Sequence, residues 1–550
     1  MSLLNTKTKI ALIFAAVGLI LYANSLNNQM FWDDQDIILN NQYVQNFDWP
    51  KFFSENQIAG AGLTSNYWRP LMLTAFSIEW QLWNDWAPGY HLINLLLHIA
   101  NTILLYSITV RLFRLPWVSF LTSLIFLIHP LQTEAVTYVS GLADVLSTFF
   151  IFLGILFYCK FRLTQNSGHN FRYFHKYYGY TLLCYIAAIL SKDTAVVMPA
   201  MLALTDFFAL PSELTVKQRL FKVVKNIWPF FLLAGLYLLL RATALNFSNT
   251  FNVYGEENLF TENFGVRLLA FFRAMAIYFQ LLFWPNNLHM ERGFDIPHNL
   301  LIPDVFVGGL LVFGLITAAF LCIKKYPIIS FGIFWFFIRL FPNSNLLIPN
   351  SGLIYEHWMY VPMIGIFLVM SYLALNVAEA FRPPLWKPKG FRYILALLLI
   401  FYLAILGKKT IARNNDWQDP ITFYNQTLKY SQTYRVLNNL GMAYADAKLS
   451  AEAIETYQKA INLDAHNAVA YHNLGNSYKE IGNRGQAVKN FETAIEKQPD
   501  FFFSYYALAQ LYLDEKNYAS AISVLEKLQK LNPADQKIAR LIEQIKRLRK

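Results

Sequence analysis

Two adjacent carboxylates, Asp33 and Asp34, stand in FWDDQDIILNN directly after the first long apolar run of the chain. An isolated acidic pair usually faces water or caps a helix, but at the exit of a membrane helix it has a second use. A hydroxyl attacking a sugar carbon must lose its proton as the bond forms, and a positioned carboxylate can take that proton without a metal. Further ionisable residues interrupt apolar stretches: Arg69 in YWRPL, His129 and Glu134 in HPLQTEAV, Asp144 in GLADVLS, Lys192 in LSKDT, and Glu356 with His357 in YEHWMYVP. One such residue is ordinarily an interface anchor whose long side chain reaches water. Several on the same expected face point to a shared polar cavity, because each is costly near membrane depth. Arg69, Lys192 and His357 have the chemistry to hold a phosphate by charge-assisted hydrogen bonds, with the carboxylates orienting them or handling protons. An anionic lipid-linked substrate fits that mixture.

The elements that must position these residues are apolar helices. The chain has 550 residues, of which 55% are hydrophobic, 17% aromatic and 15% charged. So little charge cannot coat a soluble globule of this size. The apolar residues are also segregated into unbroken runs while the last hundred residues look ordinary, which implies two solvents. A formal net charge of +11 lies in short clusters between apolar runs instead of on one basic face, which disfavours nucleic acid and reads as a topology signal. Cys159, Cys184 and Cys322 lie in or beside apolar runs without the spacing of a zinc site or disulfide framework, so no metal is expected.

Crossing a bilayer takes about 20 apolar residues, and twelve runs qualify: roughly 10–25, 91–111, 115–131, 143–160, 178–191, 195–210, 227–241, 263–285, 303–323, 327–341, 358–378 and 392–408. The first is expected to be a retained anchor, since Ala23 and Ser25 make a weak cleavage site. Lys7 and Lys9 place the N-terminus in the cytoplasm and loop 26–90 outside. Lys324, Lys325 and the loop 382–392 should then also be cytoplasmic, which requires that 263–285 be interfacial or re-entrant. The expectation is an all-α chain: a polytopic membrane domain of about 11 spans, with everything after residue 409 on the outer face.

Beyond residue 410 a 34-residue period appears, the length of a helix-turn-helix tetratricopeptide unit. Leu440, Leu474 and Leu508 fall in register, as do Gly441, Gly475 and Ala509, then Tyr444, Tyr478 and Tyr512, then Ala453, Ala487 and Ala521. Small residues let antiparallel helices approach, while Tyr457, Phe491 and Leu525 fill the gap between hairpins. The expected domains are 1–409 in the membrane, a linker helix 410–433, repeats 434–466, 467–500 and 501–534 forming an α-solenoid, and a capping helix 535–550.

In order along the chain, WDDQDIILNN, WRPL, HPLQTEAVTYVSGLAD, LSKDTAVVMPAMLALTD, NLLIPNSGLIYEHWMYVP and ARNNDWQDPITFYNQTL resemble the transmembrane and tetratricopeptide-repeat-containing O-mannosyltransferase family, of the GT-C class of polytopic glycosyltransferases. The resemblance covers essentially the whole chain. It implies transfer of a sugar, in that family mannose, from a polyprenyl or dolichyl phosphate to a protein hydroxyl on the outer or lumenal side, with inversion at the anomeric carbon. Asp33 or Asp34 would serve as base, with Asp34 preferred. Arg69, Lys192, Glu356, His357 and Tyr360 match positions expected near the lipid phosphate, and His129, Glu134 and Asp144 would support the polar cavity. No cofactor is implied beyond the lipid-linked sugar phosphate. The repeats would recruit the acceptor protein in their groove, and a bacterial inner membrane with a periplasmic active side is preferred over the endoplasmic reticulum. Two positions depart from the family pattern: Leu142 stands where an Arg is expected in Gly-Arg-Ala-Asp, and His357 replaces the Arg of a Glu-Arg pair. The first removes a cation; the second leaves a group only partly charged near neutral pH, which would make donor binding depend on pH.

Two other classes compete. A non-catalytic membrane scaffold would use the repeats for binding and the spans as anchors. A transporter would place its polar groups near the midplane, whereas here they gather at one expected face.

Overall fold

The computed structural model describes residues 6–166, 171–210, 214–247, 259–293, 295–350, 352–380, 390–533 and 535–549. Most of the basic loop 382–392 therefore lies outside the described residues. All regular structure among the described residues is helical, in two compact units, Met1–Asp419 and Pro420–Lys550.

In the first unit every expected apolar run becomes a helix. Seven are long and apolar enough to cross a membrane: Thr6–Asn27, Ala87–Phe113, Val139–Thr164, Val216–Ala242, Phe264–Phe283, Pro303–Cys322 and Tyr393–Asp416. The helix Phe264–Phe283, expected to be interfacial or re-entrant, is one unbroken helix of 20 residues, so length and composition admit it as a span. It is fastened to the connection after helix Pro327–Leu340 by Arg267 Nε donating to Leu346 O at 3.3 Å and Tyr278 Oη to Tyr355 O at 3.1 Å.

Pro116–Ile128 is apolar but short. Its 13 residues rise only about 20 Å, less than the roughly 30 Å of a hydrocarbon core. Its C-terminus leads into tight turns over His129–Gly141 that are almost wholly buried in protein. Irregular backbone within a bilayer is tolerated only when enclosed in protein, and these turns meet that condition. This segment carries Glu134, Tyr138 and Ser140 and delivers Asp144 into the first turn of helix Leu142–Asn166.

Helices Pro327–Leu340 and Met363–Ala380 cross where Gly332 meets Gly365, and a Cβ on either would collide with the carbonyl oxygen of the other. Gly365→Ala should therefore force the pair apart and destabilise by about 1–3 kcal/mol. Gly314, with open space around its Cβ position, is the control. A melting temperature in detergent that falls for Gly365→Ala but not for Gly314→Ala is the expected result.

The expected linker 410–433 is divided. Residues up to Asp416 complete the last helix of the first unit, and Pro420–Leu428 forms a separate helix that opens the second. Proline lacks the N–H to continue a helix and is favoured in a first turn. Three hairpins follow, Tyr434–Asp446 with Ser450–Leu463, Ala468–Glu480 with Arg484–Lys497, and Phe502–Asp514 with Tyr518–Leu531, and Gln536–Arg549 closes the array. The Tyr457 ring lies against the Cβ-free face of Gly441 in its own hairpin and clusters with Leu474 of the next, and Phe491 sits over Gly475 in the same way.

Candidate active site

The acidic loop is built by the segment Tyr138–Ser140. Asp34 is buried and its carboxylate is fully engaged: Oδ1 accepts from Ser140 N at 2.9 Å and Ser140 Oγ at 2.5 Å, and Oδ2 accepts from Phe31 N at 3.2 Å. Asp33 is exposed. Its N–H donates to Tyr138 Oη at 3.2 Å, and the Tyr138 hydroxyl also bonds its side chain. Between Phe31 and Asp33, Trp32 holds φ at +62°, a conformation that persists in a bulky residue only when its surroundings impose it. Here the ring stacks on Tyr138 at 5.4 Å, and Tyr138 in turn stacks on Trp417 at 5.3 Å. The pair is thus split: Asp34, preferred from the sequence as the base, is a buried anchor with both oxygens engaged, whereas Asp33 is the exposed carboxylate.

One helical turn beyond Ser140, both carboxylate oxygens of Asp144 lie 2.7 Å from Lys192 Nζ, with both residues buried. Lys192 follows directly on helix Phe171–Ser191. Burial pulls its ammonium below the usual lysine range and Asp144 partly restores it. Next to it, Arg69 approaches Asp193 at 3.7 Å and lies over the Tyr67 ring at 4.7 Å. Arg339 donates to Thr194 O at 2.6 Å. The position of the missing family cation, Leu142, is fully buried in the core.

Two more acidic hubs occupy the same end of the bundle. Glu134 accepts from His357 N at 3.1 Å and lies 2.7 Å from His357 Nδ1. Glu356 accepts from His289 N at 2.7 Å, from Arg292 at 3.3 Å and from Arg413 at 3.2 Å, and Arg413 also pairs with Asp416 at 3.2 Å. Burial raises the Glu356 carboxyl above its ordinary range against the pull of Arg413 and Arg292.

The structure therefore brings Asp33, Asp34, Asp144, Lys192 and Arg69 onto adjoining segments. It does not bring His129 to them, and Tyr360 comes near only from within the core, where Asn101 Nδ2 bridges its hydroxyl and Val145 O, next to Asp144. The Tyr360 hydroxyl bonds His98 Nδ1 at 2.8 Å and accepts from Asn101 Nδ2 at 3.3 Å in the core, and His129 spans Leu131 N and Leu282 O. Glu356, expected beside the lipid phosphate, is enclosed by its own two arginines. Sequence reasoning missed Tyr138, Ser140, Arg292, Arg339 and Arg413, although Tyr138, Ser140 and Arg413 fall inside quoted motifs.

Burial pushes the Asp34 carboxyl up to about 7. A folded-state value above the unfolded one means that its contribution to stability is fully present below about pH 4 and is lost as pH rises through about 7. The melting temperature should fall between pH 5 and pH 8 more steeply in the wild type than in Asp34→Asn. Equal slopes would mean that Asp34 does not titrate in this window.

Family models for "TPR repeat" and "Tetratricopeptide repeat" match residues 450–482 and 472–536. Human protein O-mannosyl-transferase TMTC2 is 26% identical over 82% of this chain and 62% of its own length, and human TMTC4 is 25% identical over 81% and 65%. Drosophila melanogaster Tmtc2 reaches 30% identity over 52% of this chain and 30% of its own. In sequence, the chain is a relative of the protein O-mannosyl-transferases. It spans less than two thirds of the length of these O-mannosyl-transferase relatives. A match over 82% of the chain is longer than the first unit, Met1–Asp419, so it takes in part of each unit. An archaeal oligosaccharyltransferase crystal structure from Archaeoglobus fulgidus aligns with a TM-score of 0.41 at 12% identity, over 81% of this chain and 58% of its own.

Proposed function

We propose that the chain is an integral membrane glycosyltransferase that moves a sugar, mannose by analogy with the names of its relatives, from a polyprenyl- or dolichyl-phosphate donor to Ser or Thr hydroxyls of a protein. The observation that carries the proposal is the exposed Asp33 carboxylate held by Tyr138, on the same short segment that delivers Asp144 to Lys192. In the proposed step the acceptor hydroxyl oxygen bonds to the anomeric carbon as the bond from that carbon to the phosphate oxygen breaks. Asp33 takes the hydroxyl proton, and the lipid phosphate leaves as an anion; a single displacement inverts the centre. Lys192 has three N–H donors, of which Asp144 needs two, so the third, with the Arg69 guanidinium, is available to the leaving phosphate. His357, set by Glu134, lies at the same end as a further donor. The reaction needs no cofactor beyond the lipid-linked sugar phosphate.

The site is assigned to the extracytoplasmic side, periplasmic in a bacterium or lumenal in a secretory membrane, because Lys7 and Lys9 precede the first span. Asn28 Nδ2 donates to Asn414 O and Gln29 N to Gln418 O, each at 3.0 Å. These bonds support a chain that leaves the membrane unit at the end that holds Asp33, and on this reading the repeats belong to the same compartment. Their first helices carry a row of amides, with Asn473 Nδ2 donating to Asn438 Oδ1 at 3.0 Å from one hairpin to the previous one. Such groups suit the backbone of an extended acceptor polypeptide.

The test is incubation of purified full-length protein with labelled polyprenyl-phosphate mannose and a Ser/Thr-rich acceptor. Donor cleavage with label in the acceptor is expected. Absence of cleavage of any lipid-phosphate sugar by well-folded protein would leave the scaffold reading.

A further inference from the structure

At the end of the first unit remote from Asp33, a cavity of about 320 Å³ opens among the C-terminal ends of helices Ala87–Phe113, Leu142–Asn166 and Met198–Ala209. Its size falls at the lower edge of ligand pockets, which run to about 300–1,000 Å³. Three guanidinium groups line it, Arg111, Arg114 and Arg162, against one carboxylate, Asp206.

That carboxylate is already provided for. Asp206 is fully buried, Arg162 Nε reaches its Oδ1 at 2.5 Å, Asn226 Nδ2 donates to its Oδ2 at 3.1 Å, and the Tyr158 hydroxyl also bonds it. Arg111 and Arg114 are not needed to neutralise it. Both are placed by the end of their helix. Arg111 folds back to donate to Ser107 O at 2.7 Å, and Arg114 ends the helix at φ +57° with its N–H on Val110 O at 3.0 Å. The helix C-terminus favours cations there but presents no compensating charged side chain. The lined space therefore keeps an excess of positive charge with several N–H groups, and guanidinium is the side chain best matched to phosphate oxygens.

The rest of the wall is apolar. Leu112, Leu163 and Phe208 border the cavity, and Leu163 is 64% exposed, which puts a hydrophobic rim beside the cations. A phosphate with acyl chains meets both halves of this surface; a free phosphate meets only one. We propose that the pocket binds the phosphate-bearing headgroup of an anionic membrane lipid, at a site separate from the candidate active site. Asp144 and Arg162 lie on one continuous helix, 18 residues and hence about 27 Å apart, so one phosphate cannot serve both.

The test uses the full chain purified in a neutral detergent and calorimetric titration with short-chain phosphatidylglycerol, short-chain phosphatidylcholine and inorganic phosphate. Phosphatidylglycerol should bind, phosphatidylcholine should not, and inorganic phosphate should compete only weakly. Arg111→Gln with Arg114→Gln should weaken phosphatidylglycerol about thirtyfold, since each basic residue near a lipid headgroup contributes about 1 kcal/mol. Lys324→Gln with Lys325→Gln, the same loss of charge elsewhere, should change it little. Should the double arginine variant not remain monodisperse, the exposed Arg114→Gln alone is expected to weaken binding several-fold. Equal losses in the arginine and lysine variants, unchanged binding in the arginine variants, or comparable binding of phosphatidylcholine would each overturn the proposal. Inorganic phosphate binding as tightly as the lipid would overturn its assignment to a lipid.

Discussion

Replacing Asp33 with Asn is expected to lower sugar transfer by about 10²–10⁴-fold, the usual contribution of a positioned general base, while the protein accumulates normally. The side chain is exposed, and the backbone N–H that bonds Tyr138 Oη survives the substitution, so the loop has no reason to unfold. Asp34→Asn should behave differently. An amide has only one acceptor oxygen, whereas Asp34 satisfies donors on both of its oxygens, from Ser140 and from Phe31. Leaving a buried N–H unpaired costs about 1–3 kcal/mol, so activity and melting temperature should fall together. Full activity in Asp33→Asn, or an inactive Asp34→Asn with an unchanged melting curve, would move the base to Asp34.

Lys192→Met should destabilise the protein by about 3–5 kcal/mol, because it strands the buried Asp144 carboxylate without its counter-charge. Removing both charges together, Asp144→Leu with Lys192→Met, should recover most of the stability, since a buried pair replaced by packed apolar groups is often neutral. Donor cleavage should stay lost in the double variant, because the leaving phosphate has no ammonium to meet. Melting temperatures in detergent and cleavage of polyprenyl-phosphate mannose measure the two effects separately. A double variant that regains both would show the pair to be structural only.

The glutamate and histidine residues show how much of the candidate site can be read without coordinates. Asp33, Asp34, Arg69, Asp144 and Lys192 announce themselves because an ionisable residue beside an apolar run needs a reason. The same argument flags His129, Glu134, Glu356 and His357, since a costly group near the membrane looks alike in sequence whether it awaits a ligand or already has a partner. For Glu356 the partners are Arg292 and Arg413, 64 and 57 residues away, and no spacing rule connects them. The polar Tyr360 is likewise at home in the core, between His98 and Asn101.

What the sequence determined by itself is everything that depends on near neighbours. Apolar runs of sufficient length must close their own backbone hydrogen bonds and so become helices. The 34-residue period places Gly441 and Gly475 where an aromatic ring can settle, and Pro420 starts a new helix. Only the tertiary structure decided which carboxylate is buried and which is presented. Asp34 and Ser140 are 106 residues apart, Asp144 and Lys192 48, and Glu134 and His357 223. Those pairings follow from which helix packs beside which, and a helix's choice of neighbour rests on many weak contacts summed over its whole face, a quantity that no local stretch of residues contains.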